Sequence, residues 1–574
     1  MSLKEVDAAE KPEIHEAEYA PKTTKDLEWA NRDDIQDVDQ RSGVLGYFLK
    51  KNPSPEFIAD LATMNNTVLD PKEVARIERK IDWSVCYTRQ SPLRLIQEAR
   101  LIIPALSVCY MFYYVDKTTL SYAAIFNIKK GLNLGKSEYA SRHNLPVCQS
   151  LTSPQNWLSS LFYFGWLGWA LPTNLLMQKY PLNKYLAFNI FLWGALLMAQ
   201  AASRNFTDLA ILRTLSGAFE ATADPAFVLI TSTWYTREQQ PTRIGYWYCA
   251  NGIGIALGGI LGFGIGITPL VCIKGLPSWK YEFLIVGALC CAWAIFMFIF
   301  IPDSPYQTHW FTRAERLIIV SRKRNDQNGP DNRHWDASQA IEGFVDIKTY
   351  LFFLFGFTAN VPNGGTSNFG TLIIQGFGFN TLNTTLMQLP YGAIIVAFIV
   401  VALIVNKRLP PGNRTYLMVA TNIPTVIGFA LVAWAKGKGA RLFGYWITGA
   451  SNATFVVGLS LVSGNVGGQT KKAIASAAVF LGVAAGNIVG PFLFKDSEAP
   501  TYITGVVGCM VSRILEIVVI LALRVVFSRA NAKRDRDVTE GRVQYDDRVT
   551  ALQDISDWKN PAFRYVLRCS IHDA

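Results

Sequence analysis

The chain has 574 residues, half of them hydrophobic and only 17% charged, with a formal net charge of +11. The charges are segregated from long apolar runs, which excludes a string of soluble domains, because such domains intersperse charge with every amphipathic element. The basic residues share their loops with acids, so a positive-inside bias accounts for them and nucleic acid is not an expected partner.

Residues 1–76 are polar and acidic and are expected to form a disordered cytosolic tail. The first 50 of them lack a basic region followed by an apolar one, so no cleavable signal peptide is expected. Twelve apolar runs follow, near 101–127, 157–180, 184–203, 207–234, 243–267, 281–301, 348–373, 384–406, 415–435, 441–463, 472–494 and 502–527. Most match the roughly 20 residues, about 30 Å of helix, that cross a bilayer's hydrocarbon core. The expected fold is an all-α membrane protein of twelve transmembrane helices in two six-helix halves. An N-terminal bundle with its pre-helix segment spans 77–301, a cytosolic central loop 302–347, a C-terminal bundle 348–527 and a cytosolic tail 528–574.

An even number of spans puts both ends on one side. Lys179, Lys184, Arg237, Arg243, Lys407, Arg408, Arg414, Lys471, Lys472 and the Arg529–Arg536 cluster all fall on that side, which predicts cytosolic termini. The fifth and eleventh runs occupy equivalent places in the two halves. Both carry glycine at four-residue spacing, Gly254, Gly258, Gly262 and Gly266 in one and Gly482, Gly486 and Gly490 in the other. Small residues four apart let helices approach closely in lipid, so the pair predicts an internal repeat of the kind found in secondary transporters.

Ionisable side chains inside hydrocarbon are costly and mark function. In the fourth run, Arg213, Gly217, Glu220 and Asp224 are spaced by four, three and four, which aligns them on one helical face. Arg213 is a fixed cation able to hold a carboxylate, while Glu220 in a low-dielectric cavity is suited to taking up and releasing a proton, with Asp224 as a further titratable group. A structural ion-pair network between helices would use the same residues. Asp116 and Lys117 interrupt the first run; adjacent positions point about 100° apart, so they are expected to reach different neighbours. In the seventh run Asn360, Val361, Pro362, Asn363, Gly364 and Gly365 are consecutive, which predicts a broken helix with Asn360 and Asn363 as substrate contacts. Asn251, Tyr391, Asn452, Asn465 and Asn487 are weaker candidates, since a buried asparagine more often bonds a neighbouring helix.

Nine cysteines show no metal-ligand spacing, although Cys148 and Cys272 fall on one predicted outer side and could pair. His143, His309 and His334 lie in predicted loops, and no nucleophile-elbow or phosphate-loop motif is present, so neither enzyme chemistry nor a bound metal is expected.

The charged fourth span, the six-plus-six layout and several longer stretches carry a resemblance. These stretches are WLSSLFYFGWLGWALPTNLLMQKYPLNKYL from Trp157, TSTWYTREQ after the fourth-span run, LPSWKYEFLIVGA from Leu276, IPDSP from Ile301, FTANVPNGGTSNFGTLIIQGFGF from Phe357 and DISDWKNPAFRYVL from Asp554. Over roughly 77–567 the chain resembles the major facilitator superfamily and, more closely, its fungal anion:cation symporter branch typified by allantoate permease. The resemblance implies twelve helices, alternating access, proton coupling and small organic anions as substrates. It also implies that Asp116, Lys117, Arg213 and Glu220 serve binding and coupling, with Lys117 standing where arginine is more usual. The superfamily's acidic, glycine-rich motif after the second span is reduced here to MQKYPLNKY. Two stretches, Ser84–Ala99 and Ser141–Asn156, look inserted relative to the family pattern, and their ends suit translated introns.

The expected protein is a secondary active transporter, a proton-coupled symporter of a small organic anion such as a ureide, vitamin or other carboxylate. It would be driven by the proton gradient without a cofactor and act as a monomer, with the plasma membrane as the expected location. Substrate contacts would come from Arg213, Lys117, Asn360, Asn363, Tyr391 and Asn487, and proton coupling from Glu220, Asp116 and Asp224. A facilitative carrier for the same substrates, or a non-transporting nutrient receptor on a transporter scaffold, remains open. Asn205 and Asn383 lie in glycosylation sequons of predicted outer loops.

Overall fold

Where water is excluded, a backbone must satisfy its own hydrogen bonds, and the apolar runs do so as helices. The computed structural model describes residues 102–126, 128, 132, 154–235, 239–267, 276–303, 316, 319, 336–409, 413–540, 556–560 and 563–565. The segment 84–99, most of 141–156, Cys148, Cys272, His143, His309, His334 and the N-terminal tail lie outside them. The described helices occupy all twelve expected positions in order, beginning with Ile102–Ile125 and Pro154–Lys179 and ending with Ile503–Thr539. Eight of the spans are long and apolar enough to cross a membrane by length and composition. The other four are the first, second, fourth and seventh, and three of these carry the ionisable groups and amides anticipated above.

The fourth span, expected as one helix over 207–234, is two: Phe206–Glu220 and Ala223–Trp234. Pro225 supplies the reason, since its ring removes a backbone donor and crowds the carbonyl four residues back, that of Ala221. A 2.7 Å hydrogen bond between the Thr173 and Thr222 hydroxyls ties the turn to the second span.

The seventh span corrects the opposite expectation. It is a continuous helix, Ile347–Gly376, running through Pro362. The proline frees the Thr358 carbonyl, and the Ser512 hydroxyl of the twelfth span donates to it at 2.9 Å. A neighbouring helix thus repairs the donor the proline lacks.

The glycine stripes sit where helix backbones nearly touch. A Cβ at Gly254 would collide with the Met111 carbonyl of the first span, and one at Gly482, Gly486 or Gly490 with the carbonyls of Phe353, Phe357 or Val361 in the seventh. Fifth-on-first and eleventh-on-seventh packing is thus the same contact in the two halves. Gly252 and Gly392 meet across the seam between the halves.

Polar contacts also cross that seam. Ser121 and Thr371 share a 2.7 Å hydrogen bond, Ser160 donates to the Ile488 carbonyl at 2.9 Å, and Asn156 donates to the Phe494 carbonyl at 3.3 Å. All three lie toward the face opposite the start of the first span and the end of the last, and join the two halves there.

On the other face, a short helix within the central loop, Ala337–Val345, packs against the eleventh span. The last helix continues past the expected 527 to Thr539, and Ser556–Asn560 and Phe563–Tyr565 fold back onto it. Asp557 accepts from Lys348 and, at 2.5 Å, from the Tyr565 hydroxyl. Lys471 lies 2.9 Å from both Asp557 and Asp346, and Lys348 lies 3.1 Å from Asp346. Arg534 donates to the Asp557 and Phe563 carbonyls.

Candidate functional site

Asp116 and Lys117 diverge, as adjacent helical positions must. Asp116 turns into the N-terminal half, where its carboxylate accepts from the Trp193 indole at 2.8 Å and pairs with Arg213 at 3.5 Å. The Arg213 guanidinium lies 5.3 Å from the Phe162 ring centre, and both charged groups are buried. A Cβ at Gly217 would strike the Phe162 carbonyl, so glycine there lets the second and fourth spans close tightly around the pair.

Lys117 turns toward the seam. Its ammonium makes no ion pair or hydrogen bond among the described residues and instead lies over Tyr113 at 4.0 Å, Tyr114 at 5.0 Å and Tyr163 at 5.9 Å. Aromatic faces attract a cation without consuming its donors, so the three N–H groups stay available.

Glu220 ends the first half of the broken fourth span, 2% exposed, and neither of its oxygens has a hydrogen-bond partner among the described residues. Asp224, in the first turn of the second half, accepts from the Tyr113 hydroxyl at 3.3 Å. The kink therefore separates the two carboxyls and directs them differently, which one straight helical face would not. Glu220 lies within electrostatic reach of Asp116, Lys117, Asp224 and Arg213.

Three neighbouring recesses occupy the seam, and Tyr114 and Asn363 border all of them. One is walled by Lys117, Tyr113, Tyr163 and Asp224; another by Asn360, Tyr391, Ser451 and Arg513; the third by Tyr122, Asn251, Gln388 and Asn452. Asn360, Asn363 and Asn487 form a triad of amides, bonded pairwise at 3.2–3.3 Å. Asn251 and Asn452 bond each other across the seam at 2.8 Å.

Of the candidate substrate contacts, Lys117, Asn360, Asn363 and Tyr391 line these recesses. Asn487 stands behind the amides and orients them. Arg213, expected to hold a carboxylate, and Glu220 are set back from the recess walls, because Asp116 captures the guanidinium inside the N-terminal half.

Sequence reasoning missed Arg513 and Glu516. They lie inside the twelfth apolar run, buried, paired at 2.6 Å and three residues apart, with Asn422 donating to Glu516 at 3.0 Å. The rule that flagged the fourth span, an ionisable group within hydrocarbon, flags them equally. Glu282 of the sixth span was also passed over; it is fully buried, with neither carboxyl oxygen bonded. Among the described residues no group of three or more His, Cys, Asp or Glu is arranged to hold a metal ion.

A two-half helical bundle with buried charges and amides along its seam has the architecture of a secondary carrier. Residues 106–491 match the family model described as Major Facilitator Superfamily, and the chain belongs to that family. Within it, the chain is 30% identical to the allantoate permease of Saccharomyces cerevisiae over 85% of its own length and 87% of the permease, which places it in an allantoate-permease-like branch. An uncharacterized transporter of Schizosaccharomyces pombe is 34% identical over 83% of this chain and 88% of that one, and a thiamine pathway transporter of S. cerevisiae is 26% identical over 83% and 86%. A bacterial homologue of the human lysosomal transporter Spinster, solved inward-facing and unoccupied, shares the fold with a TM-score of 0.53 at 13% identity, over 75% of this chain and 97% of that one. The Escherichia coli xylose transporter, solved partially occluded and inward-open, does so with a TM-score of 0.53 at 12% identity, over 72% and 97%. The protein is an integral membrane transporter of a small molecule, not an enzyme.

Proposed function

We propose that the protein is a proton-coupled symporter that carries a small organic anion through the bilayer by alternating access, using no cofactor beyond the proton gradient. The observation that carries this reading is Glu220, a buried carboxyl with no bonding partner, beside an unpaired lysine that faces the central recess.

The charge balance gives the coupling. Lys117 and Arg213 stand against the three carboxyls of Asp116, Glu220 and Asp224, so the fully ionised site already carries one excess negative charge. A substrate carboxylate at Lys117 makes two. In a low-dielectric setting that excess is costly, and a proton on Glu220 removes part of it. Anion and proton therefore favour each other's binding, and the loaded, protonated carrier is the form that reorients. Asp116 keeps Arg213 neutralised in both states, which leaves Lys117 as the cation for substrate and Asp224 as a further proton site. The similarity to allantoate permease supports a carboxylate such as a ureide, and the family supports rocking of one half on the other. The plasma membrane, cytosolic termini and a monomeric carrier complete the reading.

Uptake of labelled allantoate and other organic anions into a strain lacking its own organic-anion permeases tests it. Accumulation against a gradient, collapsing with an uncoupler, is expected. Glu220→Gln should abolish pH-driven accumulation while sparing exchange; equal loss of both would give Glu220 a structural role. Equilibration without accumulation would make the protein a facilitative carrier, and binding without net movement a receptor.

A further inference from the structure

The symport reading assigns the C-terminal half only amides and a tyrosine. Yet a cation from that half also reaches the seam. Arg513, 5% exposed, lines the recess formed by Asn360, Asn363, Tyr391, Thr448 and Ser451. Its Nη1 is engaged by Glu516 at 2.6 Å, and Glu516 is in turn held by Asn422 at 3.0 Å. Its Nε–H has no hydrogen-bond partner among the described residues. The guanidinium is thus held by one edge and keeps an unused buried donor beside the recess that Arg513 lines, where an unmade hydrogen bond is costly. The recess shares walls with that of Lys117 at Tyr114, Asn360 and Asn363.

We propose that Arg513 is a second substrate-binding residue and that the substrate is bipartite, with a carboxylate on the Lys117 side and an uncharged carbonyl, of an amide or ureido group, on Arg513. This rests on the symport reading and adds the chemistry of the far end. Electrostatics selects the uncharged group. Lys117 has no ion-pair partner and can balance a full negative charge, whereas Arg513 is already neutralised by Glu516, so a second carboxylate there would be uncompensated. A carbonyl oxygen needs only the spare donor. Glu516 is a positioning residue, because it acts through Arg513. A molecule held by the first span at one end and the twelfth at the other bridges both halves, so its two ends report on both.

The test is uptake by the full-length chain in permease-deficient cells, with labelled allantoate, succinamate, succinate and butyrate as probes. Allantoate and succinamate should be carried well, with butyrate, which lacks the second acceptor, and succinate, which charges it, at least about tenfold poorer in kcat/KM, the scale on which a site rejects a partner that leaves its polar group unmatched. Arg513→Lys keeps the charge opposite Glu516 but removes the Nε donor; it should raise KM for succinamate about tenfold at unchanged surface level and leave butyrate unaltered. Arg513→Gln should do so more strongly. Equal wild-type uptake of butyrate and succinamate, or an Arg513→Lys effect common to all four probes or absent, overturns the proposal. If uncoupler-sensitive accumulation persists in that case, the symport reading stands without it. If none of the four probes moves, both fail.

Discussion

Two buried charge clusters, one within the membrane and one at the tail face, differ in how their lysines are paired. At the tail face Lys348 and Lys471 stand opposite Asp346 and Asp557, with Tyr565 and Arg534 adding hydrogen bonds. Each lysine there lies within about 3 Å of a carboxylate, and Glu342 stands 4.0 Å from Lys471. Within the N-terminal half, Lys117 and Arg213 face three carboxyls, and among the described residues the lysine is held by tyrosine rings alone and Glu220 has no bonding partner. The closed cluster is a clamp joining the tail to the seventh and eleventh spans. The open one is where the proposed reading puts a ligand and a proton. Burial alone does not separate the two; the ion pairing of the lysines does.

Substitution at each cluster sharpens that contrast. Asp557→Ala leaves two buried lysines short of a partner and should destabilise the protein by about 3–5 kcal/mol, read as a lower Tm of the solubilised chain, with proton coupling per folded molecule unchanged. Glu220→Gln should do the reverse, sparing or raising Tm while coupling is lost. Similar Tm losses from both would erase the distinction.

Acid should release the clamp gradually. Burial acts to raise the Asp557 pKa, but Lys348, Tyr565 and Lys471 outweigh it and hold the carboxyl below its ordinary value of 3.8. A lowered folded pKa means the tail's contribution is fully present above that ordinary value and is lost as pH falls through the folded one. Protease access to 556–565 should therefore stay constant from neutrality to about pH 5 and rise only in stronger acid. A smaller effect is expected at Ser512. Its replacement by alanine leaves the Thr358 carbonyl unpaired at Pro362 and should cost about 1 kcal/mol, without altering substrate preference.

The architecture was legible because hydrocarbon thickness and backbone satisfaction leave little choice: twelve runs, two glycine stripes and the divergence of Asp116 from Lys117 all follow from local spacing. What was not legible depends on partners distant in the chain. Pro362 reads as a break until Ser512, 154 residues from Thr358, supplies the missing donor. Arg213 reads as a lone cation in its span, and its pairing with Asp116, 97 residues away, is set by the packing of the first and fourth spans. The tail run DWKNPAFRY reads as a polar end because its two lysine partners lie in other helices. Arg513 was overlooked for a different reason: one strongly apolar run hides an ion pair three residues apart, and its facing toward the seam is set by helix packing.

The most direct measurement is proton exchange on binding, followed with a pH-sensitive dye in weakly buffered, purified full-length protein as allantoate, or whichever anion the uptake screen identifies, is added. Proton uptake by the wild type that is lost or sharply reduced in Glu220→Gln, with binding retained, is the expected result. Binding without proton uptake, or equal uptake by both proteins, would contradict the linkage between Glu220 and the anion.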